Sequence, residues 1–159
     1  MRLYRIGRFE RGVFAEIGAD RRATWQGLAI IVVASLAGGW HFLWKDGDWH
    51  VVDWLLDEGG TAIATSIAAA LVLWAVARIA GGRGSIIALW RGVAFAFASI
   101  FLGVFGFGAQ LVGAALALPF YVRAVAETQT VGIRVGMLAV VVPVLLYAAF
   151  FVYYAAFID

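Results

Sequence analysis

Long apolar runs fill the chain from about residue 25 onward, and the basic, glycine-rich break inside them is Arg78-Ile79-Ala80-Gly81-Gly82-Arg83-Gly84-Ser85. The runs on either side are too long and too apolar for a soluble core, so this basic turn is expected to join two membrane-spanning helices. Arg78, Arg83 and Arg91 bracket it. Lys and Arg in short loops stay on the cytoplasmic side, which sets the expected orientation of everything else.

The remaining breaks divide the apolar part into five spans, at about 25–44, 60–80, 86–105, 109–126 and 135–158, each near the roughly 20 residues that cross a bilayer core. Asp20 offers a cap before the first span, which begins at Trp25 and closes on Trp40, His41, Phe42 and Trp44. Lys45 to Glu58 reads as an outer loop, within which Trp49 to Leu56 has helical spacing, and Gly59-Gly60 opens the second span. Gly106-Phe107-Gly108 makes a tight return between the third and fourth spans. Pro119 and Pro143 are expected to bend the fourth and fifth. The first long apolar run starts only around Gly27, too late for a cleavable signal, so the first span is expected to be retained.

Residues 1–22 differ in pattern. Leu3, Ile6, Phe9, Val13, Phe14 and Ile17 fall on one side of a helical wheel, with Arg5, Arg8 and Arg11 elsewhere, as in a helix lying in the membrane interface. Glu10 interrupts the apolar face, and Gly7 and Gly12 weaken the helix. Two readings stand open: docking on the protein's own helices, or contact with lipid through Arg5, Arg8, Arg11 and the turn residue Arg83. The expected organisation is therefore a cytoplasmic amphipathic segment, 1–22, followed by a five-helix transmembrane domain, 23–159.

Charge tests this assignment. Eleven of the twelve basic residues and the acids Glu10, Glu16, Asp20 and Glu127 fall on the inner side, giving +7; Lys45 with Asp46, Asp48, Asp53, Asp57, Glu58 and Asp159 gives −5 outside, for the net +2. One span more or fewer would exchange the later loops and erase the asymmetry. The expected location is the cell membrane of a prokaryote, N-terminus in the cytoplasm and C-terminus outside. Because the basic residues segregate by side and form no single patch, nucleic-acid binding is disfavoured despite a pI near 9.3. With 64% hydrophobic and only 14% charged residues, a soluble domain is excluded. The absence of cysteine removes disulfide, thiolate and iron–sulfur chemistry.

Candidate chemistry is sparse. His41 and His50 near Asp46, Asp48 and Asp53 match no established metal-ligand spacing, and a solvated acidic face is the better reading. No nucleophile, base and acid set and no phosphate loop can be assembled, so no catalysis and no cofactor are expected. Gln110 is the best polar intramembrane candidate, bonding a neighbouring helix or interfacial water. Arg123 and Glu127, four apart, suggest a surface ion pair. What the spans do carry is small residues four apart: Ser35/Gly39, Ala64/Ala68, Gly92/Ala96, Ser99/Gly103, Ala109/Gly113/Ala117 and Gly132/Gly136. Such residues let helices approach closely, the main source of association energy in lipid.

The basic N-terminal segment leading into Phe14-Ala15-Glu16-Ile17-Gly18-Ala19-Asp20-Arg21-Arg22-Ala23-Thr24, the Arg78 to Ser85 turn, Leu89-Trp90-Arg91-Gly92-Val93-Ala94-Phe95-Ala96 and Tyr121-Val122-Arg123-Ala124-Val125-Ala126-Glu127 together resemble the prokaryotic Yip1-domain family over roughly residues 10–157. The resemblance implies a five-helix membrane fold with a cytosolic N-terminus and no known catalytic activity. It departs from many prokaryotic members in lacking a proline in the third span. The link of eukaryotic relatives to small GTPases, made through a longer N-terminal region, is not expected to carry over. The expected role is that of an accessory or membrane-organising protein packing against other integral membrane proteins, for instance in an energy-converting complex. The alternative is a small carrier or channel for a neutral solute, using Gln110 and the proline bends.

Overall fold

The computed structural model describes residues 2–39, 44–45, 48–49 and 51–157, and it is helical almost throughout. Two short helices, α1 (Arg2–Gly7) and α2 (Val13–Ala19), precede α3 (Ala23–Gly38). A two-residue antiparallel ladder pairs β1 (Trp44–Lys45) with β2 (Asp48–Trp49). Next, α4 (Val51–Trp54) runs through a π-helical turn, Leu55–Gly60, into α5 (Thr61–Ile79). The α6 helix (Ile86–Ala96) continues as a 3₁₀ helix, Phe97–Phe105, and α7 (Phe107–Thr128) and α8 (Ile133–Phe157) complete the bundle.

Among the described residues three helices are long and apolar enough to cross a membrane: Val51–Ile79, Ile86–Phe105 and Leu111–Thr128. Two further apolar stretches, Ala23–Gly38 and Ile133–Leu146, are shorter. The first span thus ends earlier than expected: α3 stops at Gly38, where the backbone leaves helical geometry at Gly39. Its 16 residues reach only about 24 Å. The second begins earlier than expected. Within the expected loop 45–58, residues 51–58 are helical and continuous with the second span, and Gly59-Gly60 sits inside the π-helical turn, so one helix of 29 residues results.

The N-terminal segment is two helices where the apolar stripe suggested one. Phe9 and Gly12 both take left-handed backbone, φ 52 and 81, a conformation glycine adopts without the cost a side chain imposes. The chain reverses there, and α2 lays Val13, Phe14 and Ile17, all buried, against α6 and α7. Docking on the protein's own helices accounts for Ile6, Val13, Phe14 and Ile17 of the apolar face, whereas Leu3 and Phe9 remain exposed.

Gly106, φ 105, is the single non-helical residue between the 3₁₀ helix and α7. Ser99 and Gly113 stand at equal sequence distance from it, and a Cβ on Gly113 would strike the Ser99 carbonyl oxygen, as an antiparallel hairpin in near backbone contact requires. α7 and α8 remain helical through Pro119 and Pro143. The core joins α2, α5, α6, α7 and α8 around Ile17, Leu89, Val93, Ala124, Val125 and Ala139; a smaller cluster joins α3 to α6 through Ile31, Ala34 and Ala94.

Candidate functional site

Every segment expected on the basic side meets at one end of the bundle, where arginines grip backbone. In α7, Arg123 Nη1 donates to Glu127 Oε1 at 3.0 Å and Nη2 to the Phe9 carbonyl at 3.0 Å, while Glu127 Oε2 accepts the Phe14 N–H at 3.0 Å. Phe14 lies in the first turn of α2, whose N–H groups have no helical partner, so a carboxylate from another helix satisfies one of them. The pair expected at the surface is instead a part-buried clamp, its side chains 24% and 13% exposed. Phe9 stacks on Phe120 beside it, ring centroids 5.0 Å apart.

Arg91 of α6 holds the other end of α2. Its Nη1 donates to the Gly18 carbonyl at 2.6 Å and its Nε to Thr24 Oγ1 at 2.9 Å. A cation at a helix C-terminus is where the helix dipole favours one. One arginine thus joins α2, α3 and α6. Nothing in the spacing of Arg91 predicted this, because one partner is a backbone oxygen and the other a threonine hydroxyl 67 residues away.

The basic turn is held by similar means. Arg78 Nη1 donates to the Gly82 carbonyl at 3.0 Å with its guanidinium over the Trp74 ring, and Trp74 Nε1 donates to the Gly84 carbonyl at 3.2 Å. Gln129, fully buried in the α7–α8 connection, donates to the Ser85 carbonyl at 3.3 Å and accepts the Arg83 N–H on its own carbonyl at 3.1 Å. Its Oε1 is buried and accepts no hydrogen bond among the described residues. Gln129 was not singled out from the sequence; a lone glutamine in a polar loop carries no signal of burial.

Of the residues expected at the lipid surface, Arg5 is committed inside the N-terminal hairpin, donating to Glu16 Oε2 at 2.7 Å and to Glu10 Oε2 at 2.9 Å. These hydrogen bonds hold the carboxyls of Glu10 and Glu16 below the usual carboxylate range and raise the Arg5 guanidinium further. Arg2, beside Asp20, lowers that carboxyl in the same way. Asp20 Oδ1 accepts the Arg22 N–H at 2.9 Å just ahead of α3. Arg8 lies over the Tyr4 ring at 5.6 Å. Arg11 and Arg83 are exposed.

Among the small-residue candidates, Gly92, Ala96, Gly103, Gly113, Ala117 and Gly136 are buried, and Ser99 and Ala109 are half-buried. A Cβ on Gly92 would come within 3.0 Å of Ala124 Cβ, and one on Gly136 within 2.6 Å of the Val122 carbonyl oxygen. These positions serve contacts within the bundle. Gly132 is exposed with nothing near it, so its place in the four-residue spacing reflects no packing. The pair Ala64/Ala68 faces outward as well; α5 buries Ala62, Ser66 and Ala70 instead. The Gln110 side chain, His41 and His50 lie outside the described residues.

No family model matches this chain, and no curated protein or solved structure matches it either. The opposite end of the bundle carries Asp53, Asp57 and Glu58, and there Trp54 Nε1 donates to the Gly39 carbonyl at 3.0 Å, tying α4 to the end of α3. The molecule is therefore basic at one end and acidic at the other. The basic end uses arginine to fix backbone, an arrangement suited to holding a shape.

Proposed function

We propose that this chain is a five-span, non-catalytic protein of the prokaryotic cell membrane, Yip1-like in layout, with the clamped basic end in the cytoplasm and the acidic end outside. Its role is that of an accessory or organising protein that offers helix faces to other integral membrane proteins. The observation that carries this reading is α5: apolar on all sides, it buries only the stripe Ala62, Ser66, Ala70, Leu73 and Ala77. Its remaining faces, with Ile67, Leu71 and Val72, and the exposed Met137, Leu138, Val141 and Leu145 of α8, need hydrocarbon or another helix around them. The charge asymmetry and the meeting of the N-terminal segment, the Arg78 to Ser85 turn and the α7–α8 connection at one end support the orientation.

Orientation is tested by labelling, made simple because the chain has no cysteine. Arg83→Cys and Asp57→Cys, both at exposed positions, are expected to react with a membrane-impermeant maleimide from opposite faces of sealed vesicles. Reaction from the same face sinks the topology.

The role is tested by extraction in mild detergent. The chain is expected to migrate with a second integral membrane protein at fixed stoichiometry, and Leu138→Gln on the exposed face of α8 to release it. A chain that emerges alone and monomeric overturns the accessory role.

A further inference from the structure

We propose that the slot between α1, α3 and the 3₁₀ helix is a binding site for a single anionic phospholipid, its acyl chain in the slot and its phosphate at Arg2. The inference rests on the membrane-embedded reading above and goes beyond it.

The slot has a volume of about 410 Å³ and is lined by Leu3, Ala29, Ile30, Val33, Ala98 and Phe101. It opens into a wider mouth of about 540 Å³ that shares Leu3, Ala29 and Ile30 and adds Arg2, Gln26 and Phe95. Both volumes lie in the range of small-molecule sites. Two helical geometries make it straight. On α3, Gln26, Ala29, Ile30 and Val33 follow one stripe that descends about 10 Å from the mouth. Opposite them, residues three apart on a 3₁₀ helix eclipse one another. Ala98 and Phe101 therefore stand in line along the slot, and Phe95, in the last turn of α6, lines the mouth.

The chemistry changes along that line. The inner part has only apolar side chains, whereas the mouth presents a guanidinium. Arg2 donates to Gln26 Oε1 at 2.6 Å and to Asp20 Oδ2, which among the described residues leaves three of its five N–H groups for a further acceptor. A water-soluble anion would make no use of the slot, and an apolar partner helix would leave the Arg2 charge facing hydrocarbon. A phosphate diester carrying an acyl chain answers both ends, arginine suits phosphate in particular, and a headgroup without a cation of its own leaves the phosphate charge to the guanidinium.

The test uses the full chain, delipidated in detergent and titrated with phosphatidylglycerol or phosphatidylcholine of identical acyl chains, with bound lipid counted by native mass spectrometry. One phosphatidylglycerol is expected to bind about tenfold more tightly than phosphatidylcholine, the scale of one charge-assisted contact. Ala29→Phe, at an exposed position, fills the slot and weakens both lipids about tenfold, whereas Val141→Phe on α8 leaves both unchanged. Arg2→Gln removes the preference for phosphatidylglycerol. Asp20→Asn keeps an acceptor for the Arg22 N–H but withdraws the competing charge, and tightens phosphatidylglycerol binding.

Equal binding of the two lipids by the unmodified chain overturns the site, as does equal behaviour of the Ala29 and Val141 variants. Loss of binding in Asp20→Asn to match Arg2→Gln would show that the pair only seats α1. Carbonate extraction separates the two readings: a chain released from the membrane fails as a membrane protein, while one retained without lipid preference loses only the lipid site.

Discussion

Gly84→Ala is expected to destabilise the bundle by about 3 kcal/mol or more. A Cβ at this position would overlap the Thr128 carbonyl oxygen and crowd the Gln129 amide nitrogen. Neither can yield easily. The Thr128 side chain hydroxyl is bonded to the Ala124 carbonyl at 2.6 Å, and Gln129 is fully buried between the basic turn and the α7–α8 connection. The turn would have to lift away, taking with it the Arg83 to Gln129 and Gln129 to Ser85 hydrogen bonds. Reversible unfolding in sodium dodecyl sulfate, followed by circular dichroism, measures the effect. Gly132→Ala is the contrast: with nothing within 4 Å of the new methyl, it is expected to change stability by less than about 0.5 kcal/mol. Equal effects at the two glycines would mean that the close approach at Gly84 does not exist.

Glu127→Ala is expected to release the N-terminal hairpin at a cost of about 2–4 kcal/mol. The substitution leaves Arg123 part-buried without its carboxylate and the Phe14 N–H without an acceptor, and both penalties fall on the seam between α2 and α7. Loss should be local. Backbone hydrogen exchange of residues 9–19 is expected to accelerate while α5 and α8 stay protected, because these two helices also pack directly on each other and on α6 and α7. Glu127→Gln, which retains an acceptor but not the charge, should fall between the two. Unchanged exchange in residues 9–19 of the alanine variant would show that apolar burial alone holds α2.

Helix positions in the membrane-like part were legible because a run of apolar residues of spanning length, bounded by charge, can satisfy its backbone in hydrocarbon only as a helix or a closed barrel, and these runs lack the alternation of a barrel strand. The third region, Ile86–Phe105, agrees with the expected 86–105 to the residue. Glycine marked the breaks at Gly81 to Gly84 and Gly106 but not the boundaries of the first loop. Gly59-Gly60 stays helical inside a π-helical turn, since glycine lowers helix propensity by only about 1 kcal/mol, which packing of the flanking helix overrides. Gly38-Gly39, a pair of the same composition, does end α3. Local composition does not distinguish the two cases.

The clamp was legible in part. Arg123 and Glu127 were marked by their spacing as partners of each other, but their second partners, Phe9 and Phe14, lie more than a hundred residues away and offer backbone atoms, which have no identity in a sequence. Arg91 and Gln129 escaped for the same reason. Small-residue spacing picked out Gly92, Gly113 and Gly136, which stand close to neighbouring helices, together with Gly132 and Ala64/Ala68, which are exposed, because small residues permit contact without specifying a neighbour.

The sequence by itself determined that the chain is helical, that its helices are apolar enough for a bilayer, and that arginine and acid are segregated along it, since hydropathy and charge are sums over residues that need no partner. Only the tertiary structure decided which stripe of α5 turns inward, that α2 docks on α6 and α7, and that arginines close the basic end. A helix apolar all around has no direction written into it, so its inward face is set by whichever neighbours fit.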